Sequence, residues 1–590
     1  MRILGITDHI ISGAAILEDG KVTAAVNEER VVRRKMIMGF PRKSIQKVLE
    51  LAKIRPDQID CVAIASKRGH FLNDYVEFDA GTFGISRGLV KDLFMSLGSG
   101  LSFLRNDVPI LEKLYYELRE PAYAHRRNMI KKVLRDEFDV AAPVEFVEHH
   151  FAHACSAFYS SGYRDSLVAT MDASGDGSSS HIYHVKNGRW QLLHRVASFD
   201  SLASYYAYVT HICGFKAGKH EGKITGLAAY GKDAYRDIFE KLICFRDGTV
   251  VNSGRLFYRS ALKKIRDALP LDFSKKDLAA TIQLMSEEIA ANYIRHWSQK
   301  TGEHNVSLAG GLFANVKINQ RVHEVPGVKS LFIHPAMSDE GLAVGASLAL
   351  NYMKSPEPAA LSTRCFDHVY LGPDYSDSEI HKLLGAEGVK YEQHSRIEDR
   401  IARLIADGYV VARFAGKMEY GPRALGNRSI LYRPDDSSVN DWLNKNLKRT
   451  EFMPFAPSTL AEDADHYFTG LDGARETARY MTITFNCTEQ MRKECPGVVH
   501  VDYTARPQLV SEQDNPSYYR IIRAFRKLTG HSSIINTSFN IHEEPIVCTP
   551  EDALRAFKIG HLDYLALGSF IAEHPQLQSR EREPVRNISV

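Results

Sequence analysis

The hydrophobic positions near the start of the chain fall in three short runs, at residues 3–7, 14–17 and 21–27, each interleaved with small or polar side chains. Glu18-Asp19-Gly20 separates the second run from the third. The same plan returns at 167–172, 181–185 and 189–196, where Lys186-Asn187-Gly188 takes the place of that turn. Period-two alternation is the signature of a strand, and Asp-Gly or Asn-Gly between two such runs is a strong hairpin signal. Two three-stranded meanders are therefore predicted, repeated in structure though not in letters.

A duplicated meander followed by helical periodicity predicts the two-lobed α/β fold of actin, Hsp70 and the sugar kinases, which holds ATP between its lobes. Residues 85–140, rich in Leu, Lys, Arg and Glu at helical spacing, predict a helical insert on the first lobe. Its most apolar stretch, 89–104, contains Lys91 and Asp92 and falls short of a membrane span, so a buried or partner-facing helix is expected. The Pro-rich, small-polar composition of residues 353–366 reads as a linker. It divides the chain into a unit at 1–356 and another at 366–590. In the second, strand-like runs at 409–414 and 534–536 alternate with helical patterns at 517–528 and 550–557, predicting a separate α/β domain. The polar tail after His574 is expected to fray.

At 590 residues the chain exceeds what one core serves, and 44% apolar with 25% charged residues is the balance of a soluble globular protein. Seventy-five basic against 72 acidic residues leave a net charge of +3, too weak a field for a nucleic-acid or anionic-membrane partner. No leader pattern follows Met1, and the eight cysteines include no CxxC pair, so a reducing cytoplasm is expected. A homodimer is the expected assembly, being the commonest.

Candidate chemistry concentrates in two places. In Glu148-His149-His150-Phe151-Ala152-His153, a strand runs into a helix, and His149 and His153 share one face at metal-ligand spacing while His150 points elsewhere. Asp172 ends the strand at 167–171, and Asp339 follows another strand end. Two imidazoles with two carboxylates suit a divalent first-row metal acting as a Lewis acid. The turn around Gly175 offers backbone N–H groups to phosphate, and Gly310-Gly311, leading to Asn315, lets backbone approach a nucleotide. Gly218-Lys219-His220-Glu221-Gly222-Lys223 strengthens the nucleotide reading of this cleft.

The second place is Glu419-Tyr420-Gly421-Pro422-Arg423-Ala424-Leu425-Gly426-Asn427-Arg428-Ser429, whose two arginines among glycines suit phosphate recognition. Lys448, Arg506, Asn536 and Ser538 add anion and amide partners, enough to hold an acyl phosphate.

These segments together resemble the carbamoyltransferase family that decorates nodulation factors and antibiotics, over nearly the whole chain. The N-terminal part resembles threonylcarbamoyl-transfer proteins of tRNA modification, and the C-terminal part their YrdC-like partner that forms a carbamoyl adenylate. The resemblance implies that His149, His153, Asp172 and Asp339 hold iron, Fe(2+). It implies that Arg423, Arg428, Lys448, Arg506, Asn536 and Ser538 bind carbamoyl phosphate and ATP with Mg2+, with Arg423 and Lys448 catalytic. It also matches His9 to a histidine near the acceptor, placed to take the hydroxyl proton. Two departures stand out: Ile10-Ile11-Ser12-Gly13 follows His9 where the family has Asp and small residues, and Thr450 stands where many relatives carry arginine.

The implied function is ATP-dependent O-carbamoyl transfer to a hydroxyl of a small-molecule or sugar acceptor in natural-product biosynthesis. A tRNA-adenosine threonylcarbamoyl-type transferase would need a basic face, against the near-neutral charge. The hydrogenase-maturation relative would carry cysteine pairs. A non-catalytic ATP-binding protein of the actin and Hsp70 type leaves the Arg423 segment unexplained, and a plain sugar kinase leaves the whole C-terminal unit so.

Overall fold

The computed structural model describes residues 1–77, 109–355, 364–447 and 452–577. Both predicted meanders are present. The first is Arg2–Thr7 (β1), Gly13–Glu18 (β2) and Lys21–Asn27 (β3), continued by Cys61–Ala65 (β4) and Val144–Val147 (β5). Their sheet runs β3-β2-β1-β4-β5, antiparallel through the meander and parallel across β1, β4 and β5. The second is Ser166–Gly175 (β6), Ser178–Lys186 (β7) and Arg189–Ala197 (β8), with Asn305–Ala309 (β9) and Ser330–Ile333 (β10). Its order, β8-β7-β6-β9-β10, and its strand directions repeat the first sheet. Asp19 and Gly20 (φ 48° and 81°), like Asn187 and Gly188 (φ 51° and 73°), take the left-handed pair of a type I′ turn, whose twist matches the strands it joins.

The insert supplies one long helix, Pro109–Phe138 (α1), as its spacing predicted; the expected helix at 89–104 lies outside the described residues. His149–Ser161 (α2) leaves the first sheet and packs on β6 and β9 of the second, while Leu342–Lys354 (α3) leaves the second and packs on β1 and β4 of the first. The two helices cross where small residues permit: a Cβ on Gly345 would fall 2.1 Å from the Ala152 carbonyl oxygen. This duplicated, exchanged arrangement is the two-lobed fold the meanders predicted.

After residues 356–363, which lie outside the described residues, the chain first returns to lobe one, where Val22 N–H donates to the Cys365 carbonyl and Ala25 N–H to that of Leu371. The C-terminal α/β unit then builds an eight-stranded mixed sheet. Its central strands include Val411–Phe414, Arg428–Tyr432, Ala456–Leu460 and Ser533–Ser538, with Ile397–Ala406 and Pro516–Thr529 packed together as helices beside it. No described helix is long and apolar enough to cross a membrane. The tail at 578–590 lies outside the described residues.

Candidate active site

Three parallel strands of the second sheet end together. Asp172 lies near the end of β6, the Gly310-Gly311 pair follows β9, and Asp339 opens the short turn after β10. Gly310 is wedged between its neighbours: its N–H donates to the Met337 carbonyl at 2.6 Å, and a Cβ on it would fall 2.3 Å from the Met171 carbonyl oxygen. Only glycine, here at φ 106°, lets the two aspartate-bearing ends approach. From the other lobe α2, capped by the Glu148 carboxylate on Phe151 N–H, brings His149 and His153 onto them.

One ligand atom from each of His149, His153, Asp172 and Asp339 lies within 4.8 Å of all the others. His149 Nε2 is 2.8 Å from Asp172 Oδ2 and 3.8 Å from Asp339 Oδ1, and His153 Nε2 is 3.5 Å from both. His153 Nε2 and Asp172 Oδ1 are buried with no hydrogen-bond partner among the described residues. Buried polar atoms rarely go unsatisfied, and this donor set fits a divalent first-row cation. Burial alone would lower the His149 imidazole, but Asp172, Asp339 and Asp176 outweigh it and hold it up at about 10. His150, as its direction on the helix implied, serves structure: its Nδ1 lies 2.9 Å from Thr170 Oγ1, and burial pushes its imidazole down to about 4.

His9 stands close enough to sense His149 and Asp339, and burial lowers its imidazole below the ordinary value. Gly69 gives the ring room, since a Cβ there would come within 3.0 Å of its Nε2. Two of the residues expected to meet a nucleotide make close contacts within the protein. Gly175 lies against the His149 ring, where a Cβ would meet Cδ2 at 2.0 Å. Asn315 is a buried helix cap: Oδ1 accepts from Lys317 and Ile318 N–H, and Nδ2 donates to Tyr206 and Gln283.

A cavity of about 290 Å³ lies where the C-terminal sheet meets the second lobe. Arg423, Arg506, Asn536 and Ser538 line it from one side and Lys219, His220 and Lys223 from the other, with Met453, Phe455 and Met481 giving an apolar wall. Thus the second sequence cluster and the Gly218–Lys223 segment share one space. Lys448 lies outside the described residues.

Arg428, expected beside Arg423 as a phosphate partner, does not line this cavity. It begins a fully buried strand; its guanidinium sits 3.6 Å over the Phe414 ring and donates to the Ala415, Gly416, Asn427 and Pro373 carbonyls. Burial lowers it to about 10. The loop before it is folded by groups that sequence reasoning missed. The buried Glu419 carboxylate accepts from the N–H groups of Leu425, Asn427 and Arg428, and Arg413 donates to Gly426 and Asn427. Asn536 Nδ2 reaches the Ala424 carbonyl, next to Arg423. Gly421 packs on Pro335, in the segment leading to Asp339. Glu419 stood in the quoted motif, but nothing in a single sequence says that its carboxylate turns inward.

Two family models match this chain: Carbamoyltransferase N-terminus over residues 2–348 and Carbamoyltransferase C-terminus over 402–574. Nodulation protein NolNO of Sinorhizobium fredii is 36% identical, covering 95% of this chain and 78% of its own length. The chain belongs to the carbamoyltransferase family. An uncharacterized protein of Synechocystis sp. is 32% identical, with 99% of this carbamoyltransferase and 98% of that protein covered. Among solved structures, full-length HypF in the phosphate- and nucleotide-bound form is 11% identical with a TM-score of 0.35, covering 60% of this chain and 56% of its own. The N-terminal match contains all four cluster residues, the C-terminal match contains Arg423, Arg506, Asn536 and Ser538, and both contribute to the cavity wall.

Proposed function

We propose that this carbamoyltransferase activates carbamoyl phosphate with ATP in the cavity and transfers the carbamoyl group to a hydroxyl of a small-molecule or sugar acceptor beside the histidine–aspartate cluster. The observation that carries the reading is the cavity itself, a cationic space of ligand size walled by Arg423 and Arg506 from one unit and Lys219 and Lys223 from the other. Guanidinium forks bind phosphoryl oxygens through two parallel hydrogen bonds, and the lysines add point charges.

In the activation step water cleaves the O–P bond of carbamoyl phosphate, inorganic phosphate leaves, and the carbamate oxygen so freed attacks the α-phosphorus of ATP as pyrophosphate departs. The product is carbamoyl adenylate. Arginines and lysines on opposite walls neutralise the charge of both phosphorylated substrates and align them, and the apolar side chains keep water from a mixed anhydride that hydrolyses readily.

In the transfer step the acceptor oxygen attacks the carbonyl carbon, AMP departs with the bonding pair, and His9 Nε2 takes the hydroxyl proton. Burial lowers that imidazole and so favours its neutral form, and Nε2 has no hydrogen-bond partner among the described residues. His149, His153, Asp172 and Asp339 would hold the ion, read as Fe(2+), which supplies Lewis-acid polarisation of a phosphate oxygen. Gly310 and Gly311 keep side chains out of the approach between the aspartates.

Pyrophosphate release from ATP and carbamoyl phosphate tests the reading. Release is expected in the wild type, lost in Arg423→Ala and kept in His149→Ala, with carbamoylated product absent from both variants. A wild type that releases none, beside a working control enzyme, would end the adenylate reading.

A further inference from the structure

Ser66 follows β4 with φ +67°, in the left-handed region that a residue with a side chain rarely takes, and it is 1% exposed. Its Oγ lies 3.0 Å from Nδ1 of His149. The other ring nitrogen, Nε2, is the one that faces Asp172 and Asp339. Backbone strain of this kind persists only where the surroundings over-determine it, and here two groups do so. Arg126, reaching in from α1, donates from Nη1 to the Ser66 carbonyl at 3.0 Å and from Nη2 to that of Ala65 at 3.2 Å. The same guanidinium forks onto Asp8, at 2.6 and 2.9 Å, beside His9. On the other side Asp176 accepts from the N–H groups of Lys67 and Arg68 at 2.8 Å and from that of His149 at 2.9 Å. The segment 65–68 is thereby tied both to the insert helix and to the first turn of the ligand-bearing helix.

We propose that Ser66, with its backbone held by Arg126, is a positioning residue for the metal site. Its hydroxyl engages Nδ1 of His149, fixing the ring so that Nε2 is the nitrogen offered to the ion. A metal-binding imidazole characteristically has its second nitrogen held by a hydrogen-bonding partner, and loss of that partner weakens the site without touching a ligand. The insert thus reaches the metal site through Arg126. The proposal rests on the reading of the cluster as a metal site.

The test is titration of metal-free protein with Co(II), followed by visible absorption, alongside pyrophosphate release as a report on the separate cavity. Ser66→Gly removes the hydroxyl and accepts the positive φ, so it folds without the strain that Ser66→Ala retains. Both are expected to bind Co(II) about 10–100-fold more weakly while releasing pyrophosphate at the wild-type rate. Arg126→Gln should weaken binding as well, and Arg126→Lys should fall between it and the wild type. Equal Co(II) affinity in wild type and Ser66→Gly would overturn the proposal alone. Wild-type protein that takes up no Co(II), or holds it as well in His153→Ala, would overturn the metal reading and the proposal with it.

Discussion

Arg423 and Arg428 stand five residues apart in one motif and do opposite work. Arg423 is half-buried at the cavity wall; Arg428 is fully buried among carbonyls and stacked on Phe414. Removing a buried donor strands its acceptors, at roughly 1–3 kcal/mol for each unsatisfied group. Arg428→Ala is therefore expected to cost on the order of 3 kcal/mol or more, read from a denaturant midpoint. Arg423→Ala, at a half-buried position on the cavity wall, should cost less stability than Arg428→Ala and abolish pyrophosphate release. Spacing alone could not separate the two, because composition says that arginines among glycines suit an anion and not which one begins a buried strand. The histidine–aspartate cluster was easier to read: His149 and His153 share a helix face by period alone, and each aspartate follows an apolar run. Ser66, Arg126 and Glu419 were illegible, since their roles come from contacts that no local pattern encodes.

At the scale of elements, the meanders were legible because turn chemistry is local, and Asp19-Gly20 and Asn187-Gly188 adopt the angles those letters favour. Glycines were legible as close approaches but not as to what approaches: a single sequence does not say that the His149 imidazole packs on Gly175. The helix Glu221–Ala228 carries a measurable consequence. Glu221 is half-buried at its first turn, and its partial removal from water raises its carboxyl to about 7 despite the N–H of Gly218 donating to it. A carboxyl whose folded pKa exceeds its unfolded value near 4.5 favours folding in its protonated form. That contribution is complete below about pH 4.5 and is lost as pH rises through about 7. Glu221→Gln, which stays neutral, should gain stability on the wild type across that window, with a constant difference above it; melting temperatures at pH 5 and pH 8 measure this.

The whole molecule is welded along the seam that forms the cavity. Arg30 donates to the Gly421 carbonyl, Arg33 to those of Pro545 and Ile546, and Asn319 to that of Thr482. Beside the cavity, Lys219 and His220 of the second lobe close on Glu543 of the C-terminal unit. Burial alone would raise the Glu543 carboxyl, but Lys219 and His220 hold it down at about 2. Burial pushes the His220 imidazole down, so Lys219 supplies the charge and His220 a hydrogen bond. A lowered folded pKa contributes stability that is complete above the unfolded value near 4.5 and is lost as pH falls through about 2. Glu543→Gln should therefore be less stable than the wild type at pH 7, with the gap narrowing below about pH 4.5. The same change removes the carboxylate that occupies Lys219 on the cavity wall. Because that lysine then faces phosphate without a competing anion, the KM for ATP in pyrophosphate release should fall several-fold even as stability drops. A seam that served folding alone would lose stability with KM unchanged, so the opposed movement of the two quantities is what ties this interdomain contact to the chemistry of the cavity.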